Sequence, residues 1–216
     1  MKTINSFYRS TAYREFASWY RYPEQSSLDE LKARDQEVIG AFEALAAQGH
    51  FAPMQNIRSL FEDMECPSLS DLQAEYVRLF DYRPPCPMFE SSYTEQKKNN
   101  PGKIKLSIEE FYNEFGLDAS PTSFEPPDHL MLELEFMHFL SFKEGEAFEN
   151  DGSDVEKYLM GQQRFSEDHL MKWVPAFCDR LSENAELSYY KALAVLTEGF
   201  LLQDTDYINL LCRELQ

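Results

Sequence analysis

Glycine is scarce in this sequence, with eight in 216 residues, and no Asn-Gly pair occurs. Two-residue hairpins depend on such pairs, and period-2 alternation is equally hard to find, so an all-β architecture is excluded. Cysteines number four, Cys66, Cys86, Cys178 and Cys212, with no C-x-x-C spacing among them. The start, Met1-Lys2-Thr3-Ile4-Asn5-Ser6, has neither an apolar core nor a small-residue cleavage site. A secretory signal is therefore not expected, and the thiols are expected to be reduced in a cytoplasm. No apolar run approaches the roughly 20 residues of a membrane span. Positive charge is also short: 20 Lys and Arg stand against 38 Asp and Glu, a net charge of −18. Such a surface repels phosphate backbones and anionic headgroups, which argues against nucleic acid and membrane insertion.

Several catalytic signatures are missing as well. Neither G-x-x-x-x-G-K nor G-x-G-x-x-G is present to cradle a phosphate, and no G-x-S-x-G elbow or H-E-x-x-H zinc motif appears. Glu135-Phe-Met-His138 is the strongest metal candidate, since Glu-x-x-His on a helix aims both ligands one way. A di-iron bundle needs a second such pair, but the residue three before His169 is Ser166. A metal-dependent helical-bundle enzyme built on His129, Glu133, Glu135 and His138 is thus an alternative reading, and a generic helical adaptor is another. No cofactor or resident metal is implied.

What is abundant is apolar and aromatic material, 43% and 14% of residues, enough to fold a chain of this size. It falls at helical spacing. Ala12, Phe16, Trp19 and Tyr20 form one stripe, ended by Pro23. Ser27-x-x-Glu30 reads as a capping box opening a helix through Leu31, Val38, Phe42 and Leu45, with Gly49 at its end. Leu69, Leu72, Tyr76, Leu79 and Phe80 form another stripe, ended before Pro84-Pro85. Ser107-x-x-Glu110 is a second capping-box pattern, before Ile108, Phe111, Tyr112, Phe115 and the stop at Gly116. Leu130, Leu134, Met137 and Leu140 follow Pro126-Pro127. Ser166 reads as the cap of a helix through Leu170, Trp173, Val174, Phe177 and Leu181, stapled by Phe165 and Leu170 and kinked at Pro175. Tyr189, Leu193, Leu196 and Phe200 mark the last helix. Residues 81–106 read as a long loop and 142–164, with Glu144, Glu146, Glu149, Asp151, Asp154 and Glu156, as a solvated linker. The fold expected is all-α: one helical-bundle domain of about eight helices in two lobes. These are an N-terminal lobe over 1–116, a connector over 117–127 and a C-terminal lobe over 128–216.

Two segments carry a resemblance. The first is Glu75-Tyr76-Val77-Arg78-Leu79-Phe80, followed by Pro84-Pro85 and Glu90-Ser91-Ser92-Tyr93. The second is Phe111-Tyr112-x-x-Phe115-Gly116-Leu117, then Glu125-Pro126-Pro127-Asp128-His129-Leu130. In this order they resemble the TorD/DmsD/NarJ family of chaperones dedicated to molybdopterin oxidoreductases, and Tyr13-Arg14 through Pro23 resembles that family's first helix. Where some relatives have Trp or Tyr after the Pro-Pro pair, this chain has Cys86-Pro87-Met88-Phe89.

The resemblance implies an all-helical, non-enzymatic, cytoplasmic chaperone. Its partner would be the apo catalytic subunit of a DMSO reductase-class enzyme and any twin-arginine leader, held for cofactor insertion before export or assembly. Molybdenum-cofactor biosynthesis proteins are further candidate partners, and the chain could be a monomer or a domain-swapped dimer. The candidate client- and leader-binding residues are Tyr76, Leu79, Phe80, Pro85, Glu90, Tyr93, Glu125, Pro127, Asp128 and His129. The chemistry fits such a ligand: carboxylates can take guanidinium forks, and an apolar wall can take the segment after them. Asp128 at a helix start also reads as an N-cap, and Leu79 and Phe80 as core.

Overall fold

A computed structural model describes residues 2–33, 35–47, 49, 51, 67–94, 102–117, 125–150 and 152–215. Residues 95–101 of the expected loop, 118–124 of the expected connector, Cys66, and the side chains of Ser27 and Leu31 lie outside the described residues.

The fold is all-α; among the described residues the extended pairing is one isolated antiparallel bridge, Phe89 to His129. Helix α1 (Lys2–Trp19) lies along α7 (Leu130–Asn150) and also meets α3 (Asp35–Ala47). Its stripe of Ala12, Tyr13, Phe16, Ala17, Trp19 and Tyr20 is buried. Tyr13 reaches Phe200 at 5.0 Å between ring centres, Phe16 reaches Phe42 at 5.7 Å and Tyr20 reaches Phe177 at 5.6 Å. These contacts join α1 and α3 to α9 (Met171–Asn184) and α10 (Ser188–Glu214). A second aromatic group packs α6 (Lys103–Glu114) on α7 and α8 (Val155–Phe165): Tyr112 lies 4.8 Å from Phe136, which lies 4.7 Å from Phe165. Buried residues before 117 and after 127 belong to one continuous apolar cluster.

Several ends follow the sequence. Gly116 has φ +76°, with its N–H on the Asn113 carbonyl at 3.0 Å and that of Leu117 on the Tyr112 carbonyl at 2.9 Å. This is a Schellman closure, and a left-handed residue suits glycine there. Gly49 has the same φ after α3.

Other expectations need correction. Helix α2 (Gln25–Ala33) begins two residues before Ser27, supported by Gln25 donating to Asp29 at 2.8 Å, and α3 is a separate helix. Ser107 does not open α6, which begins at Lys103 because Ile104 extends the apolar stripe by one turn; the Ser107 hydroxyl instead faces His169. The capping box that forms is at Ser68 and Asp71, ahead of α4 (Leu69–Phe80). Ser166 caps no helix: α8 passes into a π turn, Ser166–Leu170, and on into α9. The extra residue in that turn lets Phe165, His169 and Leu170 all face the core. The acidic stretch 142–164 is not a linker, since it forms the end of α7 and most of α8, with Glu144 fully buried.

Candidate functional site

The Pro126-Pro127 elbow delivers the chain to the start of α7, and the preceding loop is laid beside it. Glu90 N–H donates to the Asp128 carbonyl at 3.0 Å, and Leu130 N–H donates to the Met88 carbonyl at 2.9 Å. Asp128 is fully buried. Its Oδ2 accepts from the Ser91 hydroxyl and, at 3.3 Å, from the Ser91 N–H, so it caps the short helix α5 (Ser91–Thr94) rather than its own. His129 caps α7 instead, with Nδ1 accepting the Met131 N–H at 3.2 Å. Its Nε2 stands 3.7 Å from Glu125, and its ring meets Phe89 edge-on at 5.0 Å. Burial holds the His129 imidazole below its ordinary pKa of 6.5, against the pull of Glu125, Asp128 and Glu135.

Beneath this junction lie two more buried carboxyls. Glu90 accepts from His169 Nδ1 at 2.8 Å, and Glu133 accepts the Trp173 indole N–H at 3.0 Å. Burial, then the Glu90 and Asp128 charges, push the Glu133 carboxyl well above 4.5, although the Trp173 bond opposes them. Glu90 Oε1, Asp128 Oδ1 and Glu133 Oε1 have no hydrogen-bond partner among the described residues. Among the described residues the Lys105 ammonium lies 3.8 Å from Asp128 Oδ1.

An aromatic edge lies on the α4 side. Tyr76, half-buried, meets Tyr22 at 5.4 Å and Phe80 at 5.0 Å between ring centres. Burial and then the Glu125 and Asp81 charges push its hydroxyl up to about 12. Tyr22 carries this edge toward solvent, and Val77 and Tyr82, the last 82% exposed, are further exposed apolar side chains in and just after α4. Leu79 is fully buried, and Phe80 is buried among Tyr20, Phe177 and Tyr190. Pro85 and Pro127 are half-buried, Pro127 accepting from the Tyr112 hydroxyl at 3.1 Å. Tyr93 stacks near Trp173 with the Arg180 guanidinium 4.9 Å from its ring centre.

The ten candidates thus divide, with Pro85 and Pro127 half-buried. Glu90, Asp128 and His129 meet at the buried junction, and Tyr76 and Glu125 lie toward its edge. Leu79 and Phe80 are core beneath that edge, and Tyr93 packs on α9. Four further residues lie at the site without a client-binding role in the sequence reading: Ser91 and Tyr22, quoted only within motifs, His169, weighed as a metal ligand, and Lys105. Glu75 and Arg78 were quoted without a role. Glu75 Oε1 accepts the Glu186 N–H at 2.6 Å, and Arg78 donates to the Asn184 carbonyl at 2.7 Å, clamping the α9–α10 turn to α4. Burial would raise Glu75, but Arg78 and the Glu186 and Leu187 N–H groups outweigh it and hold the carboxylate low. Their i,i+3 spacing was the readable signal.

The four residues of the metal alternative do not converge. Glu133 serves Trp173, His129 caps α7, Glu135 pairs with Arg21 at 2.7 Å, and His138 Nδ1 meets the Ser10 hydroxyl at 2.7 Å. Among the described residues no group of three or more His, Cys, Asp and Glu is spaced to hold a metal ion. Ser107, His169 and Glu90 follow one another as in an acyl-transfer triad, with Ser107 Oγ 3.4 Å from His169 Nε2. Ser107 lies inside α6, however, where backbone N–H groups are already bonded along the helix and offer no oxyanion hole. Cys86 and Cys178 are buried thiols raised by that burial, Cys86 to about 11, so they are poor nucleophiles.

A different buried centre ties the helices together. Arg9 of α1 donates to Asp204, to Glu144 at 2.8 Å and to Gln162, and Tyr13 donates to Asp204 at 2.7 Å. Ser6 donates to Glu144 at 2.8 Å, and Gln162 does the same at 2.8 Å.

An all-helical bundle with a Pro-Pro junction of this kind defines a class, and comparison with known proteins identifies it. The sequence model of the family described as nitrate reductase delta subunit matches residues 43–179. The chain belongs to that family, and the resemblance to TorD and NarJ chaperones holds. It is 33% identical over 136 residues to the perchlorate reductase assembly chaperone protein of Dechloromonas aromatica, covering 62% of this chain and 59% of that one. It is 34% identical over 132 residues to the selenate reductase assembly chaperone protein of Thauera selenatis, covering 59% of this chain and 67% of that one. To the chaperone protein TorD of a Psychrobacter species it is 26% identical over 201 residues, 91% and 89% of the two chains. The chain thus spans 59% of the first of these relatives and 89% of the last. A crystal structure of an Archaeoglobus fulgidus protein described as a redox enzyme maturation protein has the same fold. The TM-score is 0.53 at 20% identity, over 88% of this chain and 93% of that one. No described helix is long and apolar enough to cross a membrane.

Proposed function

We propose that this chain is an assembly chaperone for a molybdopterin oxidoreductase. It holds the apo catalytic subunit, with its leader where there is one, in the cytoplasm until cofactor insertion. It is a single domain, and a domain-swapped dimer of it would use 117–127 as the hinge. Relatives named as assembly chaperones for perchlorate, selenate and chlorate reductases support the client class. The observation that carries the reading to a site is the junction itself: Asp128, Glu90 and Glu133 are buried with little cationic compensation, beside an exposed aromatic edge. A segment with guanidinium groups followed by apolar residues suits both parts.

The test is co-purification. The tagged chain is recovered from cells expressing the molybdoenzyme catalytic subunit encoded nearest to its gene, with and without molybdenum-cofactor synthesis. Retention of the apo subunit and release of the loaded one is expected; equal retention, or none, defeats the proposal. Affinity for a double-arginine leader peptide should also fall as salt rises, because a partly exposed ion pair is screened over about 8–10 Å.

A further inference from the structure

Lys105 sits where helix physics does not favour it. It lies in the first turn of α6, with Lys103 two residues before it, and that turn contains no acidic residue. The N-cap is Gly102, which has no side chain with which to cap the turn. Cations at a helix N-terminus oppose the backbone dipole, so two lysines there act against the helix they begin. A local conflict of this kind marks a position serving something other than stability. The Lys105 ammonium compensates by approaching Asp128 Oδ1, but at 3.8 Å, beyond hydrogen-bond length, and the Lys105 side chain is 42% exposed. Asp128 is fully buried and its Oδ1 accepts no hydrogen bond among the described residues. The subsite is therefore occupied by a loosely held cation on a stem free to swing into water.

We propose that Lys105 is a tethered stand-in, an internal ammonium that occupies the Asp128 subsite until a guanidinium group of the client displaces it. The inference rests on the chaperone reading above and adds a regulatory element to its site. A guanidinium is the better occupant, because its planar fork can donate to Asp128 Oδ1 with hydrogen bonds that the ammonium does not reach. Displacement costs α6 little, since withdrawing the ammonium also relieves the clash with the dipole. The stand-in keeps a buried carboxylate from lying uncompensated in the free chaperone. It also sets a threshold: a segment with one weak cation gains nothing over Lys105, whereas one presenting guanidinium forks does.

Two arms test this. In the first, arginine amide and its isostere citrulline amide, which keeps the α-amino group but has a neutral ureido side chain, are titrated against wild type and Lys105→Met while the melting temperature is followed. Arginine amide should raise the melting temperature of Lys105→Met more than that of wild type, and citrulline amide should raise neither. An equal response of the two proteins overturns the stand-in, whatever the client. In the second arm, a peptide with two adjacent arginines before an apolar segment, and its double-glutamine counterpart, are titrated by calorimetry. Lys105→Met should bind the arginine peptide about three- to fivefold more tightly than wild type and the glutamine peptide unchanged, the range open to a partly exposed ion pair. Lys105→Arg, a stronger internal competitor, should bind the arginine peptide more weakly. Unchanged or weaker binding by Lys105→Met overturns the inference. If wild type does not distinguish the two peptides, the leader reading fails, while the arginine amide arm still decides the subsite.

Discussion

Arg9 and Asp128 are both fully buried, yet their surroundings differ in kind. Around Arg9 both carboxylates are satisfied: its guanidinium reaches Asp204, Glu144 and Gln162, Tyr13 and Gln162 add second donors to Asp204 Oδ2 and Glu144 Oε2, and Ser6 serves Glu144 Oε1. Residues from α1, α7, α8 and α10 are fixed together in one satisfied network. Among the described residues the ion pair made by Asp128 is to Lys105, not to a buried arginine. Each of Asp128, Glu90 and Glu133 keeps one oxygen without a hydrogen bond among the described residues, and the lysine near Asp128 is half-exposed. A buried charge network that closes on itself holds a fold, while one left short of cations is suited to receive them.

The largest effect should come from opening the closed network. Arg9→Met strands Glu144 and Asp204, and losing one partner of a buried pair costs about 3–5 kcal/mol. Urea denaturation should show most of the domain's stability gone, whereas Lys105→Met should shift the midpoint by less than about 1 kcal/mol. Comparable losses would erase the distinction between the two centres.

Next in size is the contrast between core and edge on α4. Leu79→Ala should cost about 2–5 kcal/mol, as for a filled core position. Tyr76→Ala, half-buried, should cost less and weaken client retention in proportion to its lost contact area. Thermal melts beside the co-purification assay check both. Full client retention by a well-folded Tyr76→Ala protein would remove the aromatic edge from the site.

Glu133 gives a smaller effect with a definite sign. Its carboxyl is raised above 4.5 in the folded chain by burial, Glu90 and Asp128, so the stability it contributes is complete below that value. That contribution is lost as pH rises through the folded-state pKa. Glu133→Gln keeps an acceptor for Trp173 and does not titrate. It should be more stable than wild type at pH 8 by an amount on the order of 1 kcal/mol, and the gain should shrink toward pH 4.5. A pH-independent difference would mean that Glu133 is ionised throughout.

The smallest expected change is at His129. Its pKa lies below 6.5, so its share of stability is present above that pH and is lost as pH falls toward the folded value. His129→Asn retains an N-cap acceptor and should flatten the acid side of the stability profile between pH 7 and 5, leaving neutral stability within about 1 kcal/mol. The flattening is partial, because burial also lowers His138. An unaltered profile would assign the acid loss elsewhere.

Much of this molecule was legible where one rule acted alone. The stripes of α1, α4, α7 and α10, the glycine at 116 and the Pro-Pro entry to α7 appear as read, because burial, left-handed backbone and proline each leave a local mark. The capping pattern at Ser107 misled because it ignored Ile104, an apolar residue one turn earlier, and that at Ser27 because the helix starts at Gln25, whose amide donates to Asp29. The π turn at Ser166–Leu170 has no periodic signature of its own. Arg9 was missed although the signal existed: extending the α1 stripe back from Phe16 and Tyr13 lands on Arg9 and then Asn5. A charge at such a position requires distant partners, and Asp204 is 195 residues away. At the site, Asp128, His129 and Glu90 were marked by motif. Lys105 was not, and Glu133 was marked only as a metal-ligand candidate, because their roles here arise from tertiary placement beside Asp128 rather than from spacing.

The most direct measurement is calorimetric titration of a double-arginine leader peptide against wild type and Asp128→Asn, each verified as folded at the working temperature. Asn keeps an oxygen for Ser91 and removes the charge. A buried carboxylate that receives a guanidinium predicts about a tenfold or larger loss of affinity in Asp128→Asn, for a charge-assisted bond worth about 1.5–3 kcal/mol. Equal affinity in the two proteins would contradict the account, leaving Asp128 as the cap of α5 alone.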